Sequence, residues 1–188
     1  METKEQLRNR LLVWRKGLSG DDRSVWSREI TCNILSWSVY QNATTIHCFR
    51  SMARTGEVET GPLIKQMLRD GKRVVVPRTG AKGMASVRIE NDTVFERHAL
   101  GMEEPTTGEV IPDGEIDLVL VPLLAADRTG HRLGYGKGMY DRFLSDISSV
   151  NAGLLFSPQL QDQPLPADPH DVPLDWLVTE ESILKCES

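Results

Sequence analysis

Within residues 132–141 an arginine, a lysine, a tyrosine and an aspartate (Arg132, Lys137, Tyr140 and Asp141) alternate with Gly134, Gly136 and Gly138. Glycine at every second position lets the backbone approach an anion and adopt positive φ. A helix reading from Met139 adds free N–H groups and the positive end of its dipole, a common way to hold phosphate. Arg132 and Lys137 supply cations for phosphate oxygens. Asp141, in the first helical turn, is the ligand type Mg²⁺ prefers beside phosphate, although an acid there also simply complements the dipole. The spacing is neither a GxxxxGK[ST] loop nor a GxGxxG fingerprint. Nucleotide-dependent chemistry is the reading that uses all of these residues. Lys4 and Arg8, four apart, share a helix face where cations oppose the dipole; they are either simply solvated, which the spacing alone favours, or face an anionic ligand that would offset that cost. Glu57, in Gly56-Glu-Val-Glu-Thr60, either caps the helix that follows or binds a ligand. Glu103-Glu104-Pro105 reads as a turn and His170-Asp171 as a loop pair. No GxSxG motif is present, so a serine triad on a nucleophile elbow is not indicated.

The elements that position these residues follow from periodicity. Thr3-x-x-Gln6 has capping-box form and opens a helix whose stripe is Leu7, Leu11, Trp14 and Leu18. A second helix starts near Asp21, with Trp26, Ile30, Ile34 and Trp37 as its stripe. Residues 44–49 read as a strand, 50–56 as a polar loop, and 60–70 as a helix stopped by Gly71. Residues 73–76 form a strand ended by Pro77, Gly80, Lys82 and Gly83 a turn, and 85–89 a strand. Residues 95–114 read as irregular. Residues 116–121, apolar apart from Asp117, have the continuous character of a strand buried on both faces. A helix over 138–146, a strand over 152–156, a proline-rich loop over 157–173 and a short strand over 176–178 complete the chain. Alternating strands and helices indicate an α/β class: one domain over residues 1–188, in which a mainly parallel central sheet lies in a three-layer α/β/α, Rossmann-like arrangement. The loops at Arg50, Pro77 and Pro122 then converge at the carboxyl ends of the strands, where such folds bind ligands.

Composition narrows the function. With 22 Lys and Arg against 27 Asp and Glu the net charge is −5, which disfavours nucleic-acid binding. Hydrophobic content of 39% in 188 residues suffices for a real core, yet no apolar run has the length of a membrane span. The charged beginning METKEQLRNR lacks a signal-peptide core, so a cytoplasmic protein is expected. Three cysteines without CxxC spacing indicate reduced thiols rather than disulfides or zinc. The acidic segment after Ser157 either is solvated or reaches a metal site through Asp171.

Together these pieces resemble the 5-formyltetrahydrofolate cyclo-ligase (methenyltetrahydrofolate synthetase) family nearly end to end. The resemblance rests on Lys4-x-x-x-Arg8, Ser51-Met52 with Gly56-Glu-Val-Glu-Thr60, Val76-Pro-Arg78, Glu104-Pro105, Val121-Pro122, Asp127-x-x-Gly130-x-Arg132-Leu-Gly-Tyr-Gly-Lys-Gly-Met-Tyr140-Asp141, Asp171, and residues 175–180. It implies ATP-dependent cyclisation of 5-formyltetrahydrofolate to 5,10-methenyltetrahydrofolate with Mg²⁺, in a monomer. By position it implies ATP contacts from Lys4, Arg8, Arg132, Leu133, Gly134, Tyr135, Gly136, Lys137, Gly138, Met139 and Tyr140. Arg132, Lys137 and Tyr140 would act in catalysis. Folate contacts would come from Arg50, Met52, Glu57 and residues 135–139, and Asp141 and Asp171 would be metal ligands. The chain departs from the family pattern at Met139, where an aromatic residue is common, at Ala126, where Phe is common, and in a longer loop at Ala53-Arg54-Thr55. These departures, all expected on the folate side, leave open a paralogue that keeps the ATP site but acts on another substrate. A non-catalytic reduced-folate binder is the third reading.

Overall fold

The computed structural model describes residues 2–80, 83–97 and 101–187. The elements in chain order are α1 (Lys4–Gly17), α2 (Gly20–Ser36), α3 (Ser38–Asn42), β1 (Thr45–Cys48), α4 (Gly61–Arg69), β2 (Arg73–Gly80), β3 (Gly83–Arg88), β4 (Phe95–Arg97), β5 (Glu103–Pro105), β6 (Val110–Ile111), β7 (Leu118–Pro122), β8 (Ala125–Asp127), β9 (Arg132–Leu133), α5 (Met139–Ser145), β10 (Val150–Leu154), β11 (Leu160–Gln161), β12 (Trp176–Val178) and β13 (Ile183–Lys185).

The main sheet has the order β13-β12-β10-β7-β1-β2-β3-β6. From β12 to β2 it is parallel, and β13, β3 and β6 add antiparallel edges. The mixed edge and parallel centre match the α/β expectation. From β1 the chain winds outward through β2 and then returns to β7 on the other side, so the order reverses between β1 and β7. Ligands in such sheets bind at that reversal, outside the carboxyl ends of the strands.

Period two along the central strands assigns side chains to two cores. Leu118 and Leu120 of β7, Ile46 of β1, and Val74 and Val76 of β2 face α2, α3 and α4, with Ile30, Ile34, Leu63 and Met67. Val119, Val121 and Val75 face the other way, toward Phe143 and Leu144 of α5. Asp117 is tolerated at the start of β7 because its carboxylate accepts the N–H groups of Thr44 and Thr45 at 2.7 and 2.8 Å.

A third, small core matters most for function. Leu7 and Leu11 of α1 pack on Ala125, Leu133 and Leu165. The capping box of Thr3 and Gln6 fixes the start of α1. Helix α1 is thereby docked on the β8–β9 hairpin that leads into the glycine loop, with each leucine contributing about 1.5–3 kcal/mol.

Several expectations change. Strand β2 does not stop at Pro77 but runs to Gly80, pairing Pro77 with Ser86. Beyond the β1 pairing, which ends at Val75, a proline fits a strand position whose N–H the ladder does not need. Residues 95–114 hold β4 and β5, which pair with each other, and β6, which joins β3. Residues 157–173 contain β11, parallel to β8. Strand β13 closes the sheet past β12. Helix α2 ends at Ser36; Trp37 is its cap and packs edge-on against Trp176, 5.2 Å between ring centroids. Gly71 stops α4 as expected, with φ of 74°. Of the expected turn at Gly80, Lys82 and Gly83, Lys82 lies outside the described residues. The cysteines are free.

Candidate active site

A cavity of about 540 Å³ opens at the reversal between β1 and β7. Phe49 and Arg50, after β1, and Pro122, at the end of β7, line it, as does Pro77 of β2. All the residues singled out from the sequence as binding or catalytic candidates line this one cavity, from Lys4 and Arg8 through Arg50, Met52 and Glu57 to residues 132–141 and Asp171. Ala126 does not; it is fully buried in β8 among Val121, Leu155 and other apolar neighbours. Its expected place on the folate side is therefore corrected: β8 turns it into the core.

One half of the cavity is ionic. Gly136 and Gly138 take φ of 88° and 59°, so the loop uses the left-handed region that glycine allows. Arg132 is almost buried; it donates to the Val172 carbonyl and, at 2.6 Å, to Asp141 Oδ1. Burial draws the guanidinium pKa down, and the charges of Asp141 and Asp171 oppose that draw. Arginine remains charged across the working range. Asp141 Oδ1 also accepts the Val172 N–H at 3.3 Å. Lys4 Nζ reaches across from α1 to Asp168 and Asp171, at 2.6 and 3.2 Å, and Arg8 Nε donates to the Gly134 carbonyl at 3.0 Å. The partners of the α1 cations are thus groups of the chain itself, not solvent alone. Partial burial resists ionisation of Asp171, but the Asp168 N–H, Lys4 and Arg132 outweigh it and hold its carboxyl below the ordinary range. Lys137 is exposed at the loop tip.

The other half has a carboxylate, Glu57, at its floor and Phe49, Met52 and Met139 along its wall. Glu57 is buried and does not cap α4: Thr60 is the N-cap, and Glu57 accepts the Met52 N–H at 2.6 Å and the Tyr135 hydroxyl. Burial raises its pKa, against the opposing pull of those two donors and of Arg15 and Arg54. Arg50 lies over the Phe95 ring, 3.8 Å from its centroid, and pairs with Glu103 at 2.7 Å. Glu104, read as part of a turn, is instead buried and accepts from the N–H and hydroxyl of Thr79. Met139 lines the cavity, and Ala53–Thr55 forms one 3-10 turn that brings Arg54 and Thr55 to its wall. Tyr140 is packed into the core beside His47 and Phe143, and its hydroxyl has no hydrogen-bond partner among the described residues.

Arg15 and Asp168 join the site through the fold without standing out in the sequence. Arg15 is buried, with its guanidinium donating to Thr55, Leu123 and Tyr135. Its signal was present: it stands one turn beyond Leu11 on the buried stripe of α1, where a cation needs several partners. Asp168 carried none, since its pairing with Lys4 joins segments remote in sequence.

Asp141 and Asp171, with Asp168 tied to Lys4, do not cage a metal by themselves, and no group of three or more side chains placed to do so occurs among the described residues. They do fit a Mg²⁺ that arrives with phosphates, which takes one or two carboxylates and keeps other oxygen ligands. The arrangement can therefore bind a polyphosphate at one end and an aromatic, hydrogen-bonding molecule at the other, with the two meeting at the glycine loop.

Comparison with known proteins agrees. Residues 1–180 match the model of the 5-formyltetrahydrofolate cyclo-ligase family. The chain is 31% identical to mouse 5-formyltetrahydrofolate cyclo-ligase, covering 95% of this chain and 94% of that one. It is 28% identical to the enzyme of that name from Escherichia coli K12, over 90% and 96% of the two chains. Among solved structures, 5,10-methenyltetrahydrofolate synthetase from Aquifex aeolicus superposes with a TM-score of 0.89 at 30% identity, covering 98% of this chain and 93% of that chain. With the family model spanning nearly the whole sequence and the fold shared end to end, this chain belongs to the 5-formyltetrahydrofolate cyclo-ligase family.

Proposed function

We propose that this enzyme converts 5-formyltetrahydrofolate and ATP to 5,10-methenyltetrahydrofolate, ADP and phosphate. The observation that carries this reading is the two-sided cavity: an ionic half around Lys4, Arg8, Arg132 and Lys137 is continuous with a half floored by buried Glu57, in a chain of this family. A formamide oxygen is a poor leaving group. It attacks the γ-phosphorus, the bond to ADP breaks, and the oxygen becomes part of a phosphate ester. The folate nitrogen at position 10 then attacks the formyl carbon, loses its proton, and the carbon–oxygen bond breaks to release phosphate as the ring closes. No protein nucleophile is required; the protein supplies positioning and charge neutralisation.

Arg132 and Lys137 act on the transferring phosphoryl group, while Lys4, Arg8 and residues 133–140 hold the nucleotide. Tyr140 belongs at the reacting end, because a buried hydroxyl without a partner is a donor placed for an incoming acceptor. Glu57 accepts from pterin N–H groups, Met52 and Met139 pack on the ring system, and Arg50 faces the folate. Asp141 and Asp171 would hold Mg²⁺, which would supply positive charge to neutralise phosphate oxygens. The protein acts as a single-domain monomer in the cytoplasm. The test is near-ultraviolet absorbance of methenyltetrahydrofolate from 5-formyltetrahydrofolate and Mg²⁺, with and without ATP. A rise that needs ATP supports the reading; no rise while ATP still binds refutes it in favour of a different substrate.

A further inference from the structure

The Arg15 side chain does not line the cavity, yet it contacts three of the segments that do. Its guanidinium donates to the Thr55 carbonyl at 2.6 Å, to the Leu123 carbonyl at 3.0 Å and to the Tyr135 hydroxyl. These acceptors belong to the turn after β1, the end of β7 and the glycine loop. Arg15 is 2% exposed, so the donor end of all three bonds is shielded from solvent, and the bond to Leu123 is fully buried. The Tyr135 hydroxyl has one proton and gives it to Glu57, so it can only accept from Arg15. The direction of the chain is fixed: Arg15 to Tyr135 to Glu57. Close packing holds the other end. Gly56 has φ of 65°, and a Cβ there would lie 2.6 Å from the Arg15 carbonyl oxygen, so the Glu57 turn sits directly on α1.

We propose that Arg15 is a positioning residue that ties the glycine loop to the Glu57 wall through the Tyr135 hydroxyl, so that filling either half of the cavity tightens binding in the other. This rests on the functional reading above. A ligand that donates to Glu57 fixes its carboxylate, and the carboxylate fixes the Tyr135 hydroxyl. Tyr135 stands between Gly134, whose carbonyl accepts from Arg8, and Gly136. Holding it therefore orders a glycine loop whose ordering the polyphosphate would otherwise have to supply from its own binding energy. By linkage the effect is equal in both directions.

The experiment is calorimetric titration of 5-formyltetrahydrofolate and of a non-hydrolysable ATP analogue with Mg²⁺, each alone and each in the presence of the other. It is run on the wild type, Arg15→Lys, Tyr135→Phe and the double variant, with thermal stability measured on each. Lysine keeps the charge but not the three-way fork, and phenylalanine removes only the hydroxyl. In the wild type each ligand tightens the other about fivefold or more, and in either single variant the factor falls below about twofold. The double variant loses no more coupling than either single one, because both sit on one chain of bonds. Coupling that survives in Tyr135→Phe, or a uniform weakening of both ligands with the mutual factor intact, overturns the proposal and leaves Arg15 a structural residue. Absence of coupling in a wild type that binds both ligands overturns it as well. A wild type that binds neither ligand refutes the functional reading first, and this inference with it. If Arg15→Lys does not fold, Tyr135→Phe alone decides.

Discussion

The stability of this enzyme should fall steeply in acid because of a single buried ring, that of His47. It lies fully buried in β1, between β2 and β7. Its Nδ1 is 3.1 Å from Ser86 Oγ, and Tyr140 and Phe143 of α5 lie over it with ring centroids 6.1 and 4.8 Å away. None of these neighbours offers a charge to balance an imidazolium, and burial pushes the His47 pKa down from 6.5 to about 3. Because the folded pKa is depressed, the unfolded chain binds the extra proton first. Stability is therefore fully present above the unfolded value and is lost as pH falls toward the folded one. The loss is about 1.4 kcal/mol per pH unit in that window, roughly 2.7 kcal/mol by a pH of about 4.5. That is a large share of the 5–15 kcal/mol typical of a domain. Since α5 carries Tyr140 and Asp141, acid should loosen the cavity wall along with the core. The assay is urea denaturation of wild type and His47→Leu between pH values of about 4.5 and 7.5. The other titrating groups are common to both proteins and cancel in the difference. At neutral pH the variant loses about 1–3 kcal/mol, because the Ser86 hydroxyl is left buried without its partner. Below a pH of about 6.5 the gap should close by about 1.4 kcal/mol per unit. Parallel pH profiles for the two proteins would refute the reasoning.

Lys137→Ala should lower turnover by roughly tenfold or more, since the residue neutralises charge that grows in the transition state. Its exposure means the midpoint of thermal unfolding should stay within about 2 °C of the wild type; equal turnover would remove Lys137 from the phosphate site. Asp141→Asn keeps an acceptor for Arg132 but drops the charge, so the Mg²⁺ concentration giving half-maximal rate should rise roughly tenfold; an unchanged Mg²⁺ dependence would exclude Asp141 as a ligand. Gly130→Ala places a Cβ 2.3 Å from the Leu174 carbonyl oxygen at φ of 85°, so denaturant titration should show a loss of roughly 2 kcal/mol or more. A stability within error of the wild type would show that the β8–β9 turn yields easily.

Legibility followed the length and regularity of each signal. Helix α1 was readable to its capping box, and α4 to its glycine stop, because both signatures are local. The central strand was readable because four apolar residues in a row at Leu118–Val121 satisfy both cores at once. The two- and three-residue strands β5, β6, β9 and β11 are too short to show a period, and each exists only because a neighbouring strand offers it a ladder. Pro77 misled for a related reason: a proline ends a strand only where its N–H is required, and neighbouring pairings decide that. Glu57 was ambiguous between helix cap and ligand contact until the fold brought Tyr135 to it from 78 positions away.

The fold class, the glycine loop with its Arg132, Lys137 and Asp141, and the meeting of Arg50 and Pro122 at the carboxyl ends of strands were legible along the chain, whereas Pro77 reaches the same cavity from within β2. The legible features depend on local periodicity, on glycine's access to positive φ and on fixed offsets along the chain. The tertiary structure alone decided the partners. Lys4 meets Asp168 and Asp171, Arg132 meets Asp141 and the Val172 carbonyl, and Arg15 meets Tyr135. Most of those contacts span more than 100 positions of sequence, and α1 makes them only because Leu7 and Leu11 are buried against the β8–β9 hairpin. A charge's worth depends on which opposite charge and how much solvent lie beside it, and neither is written in the neighbouring residues.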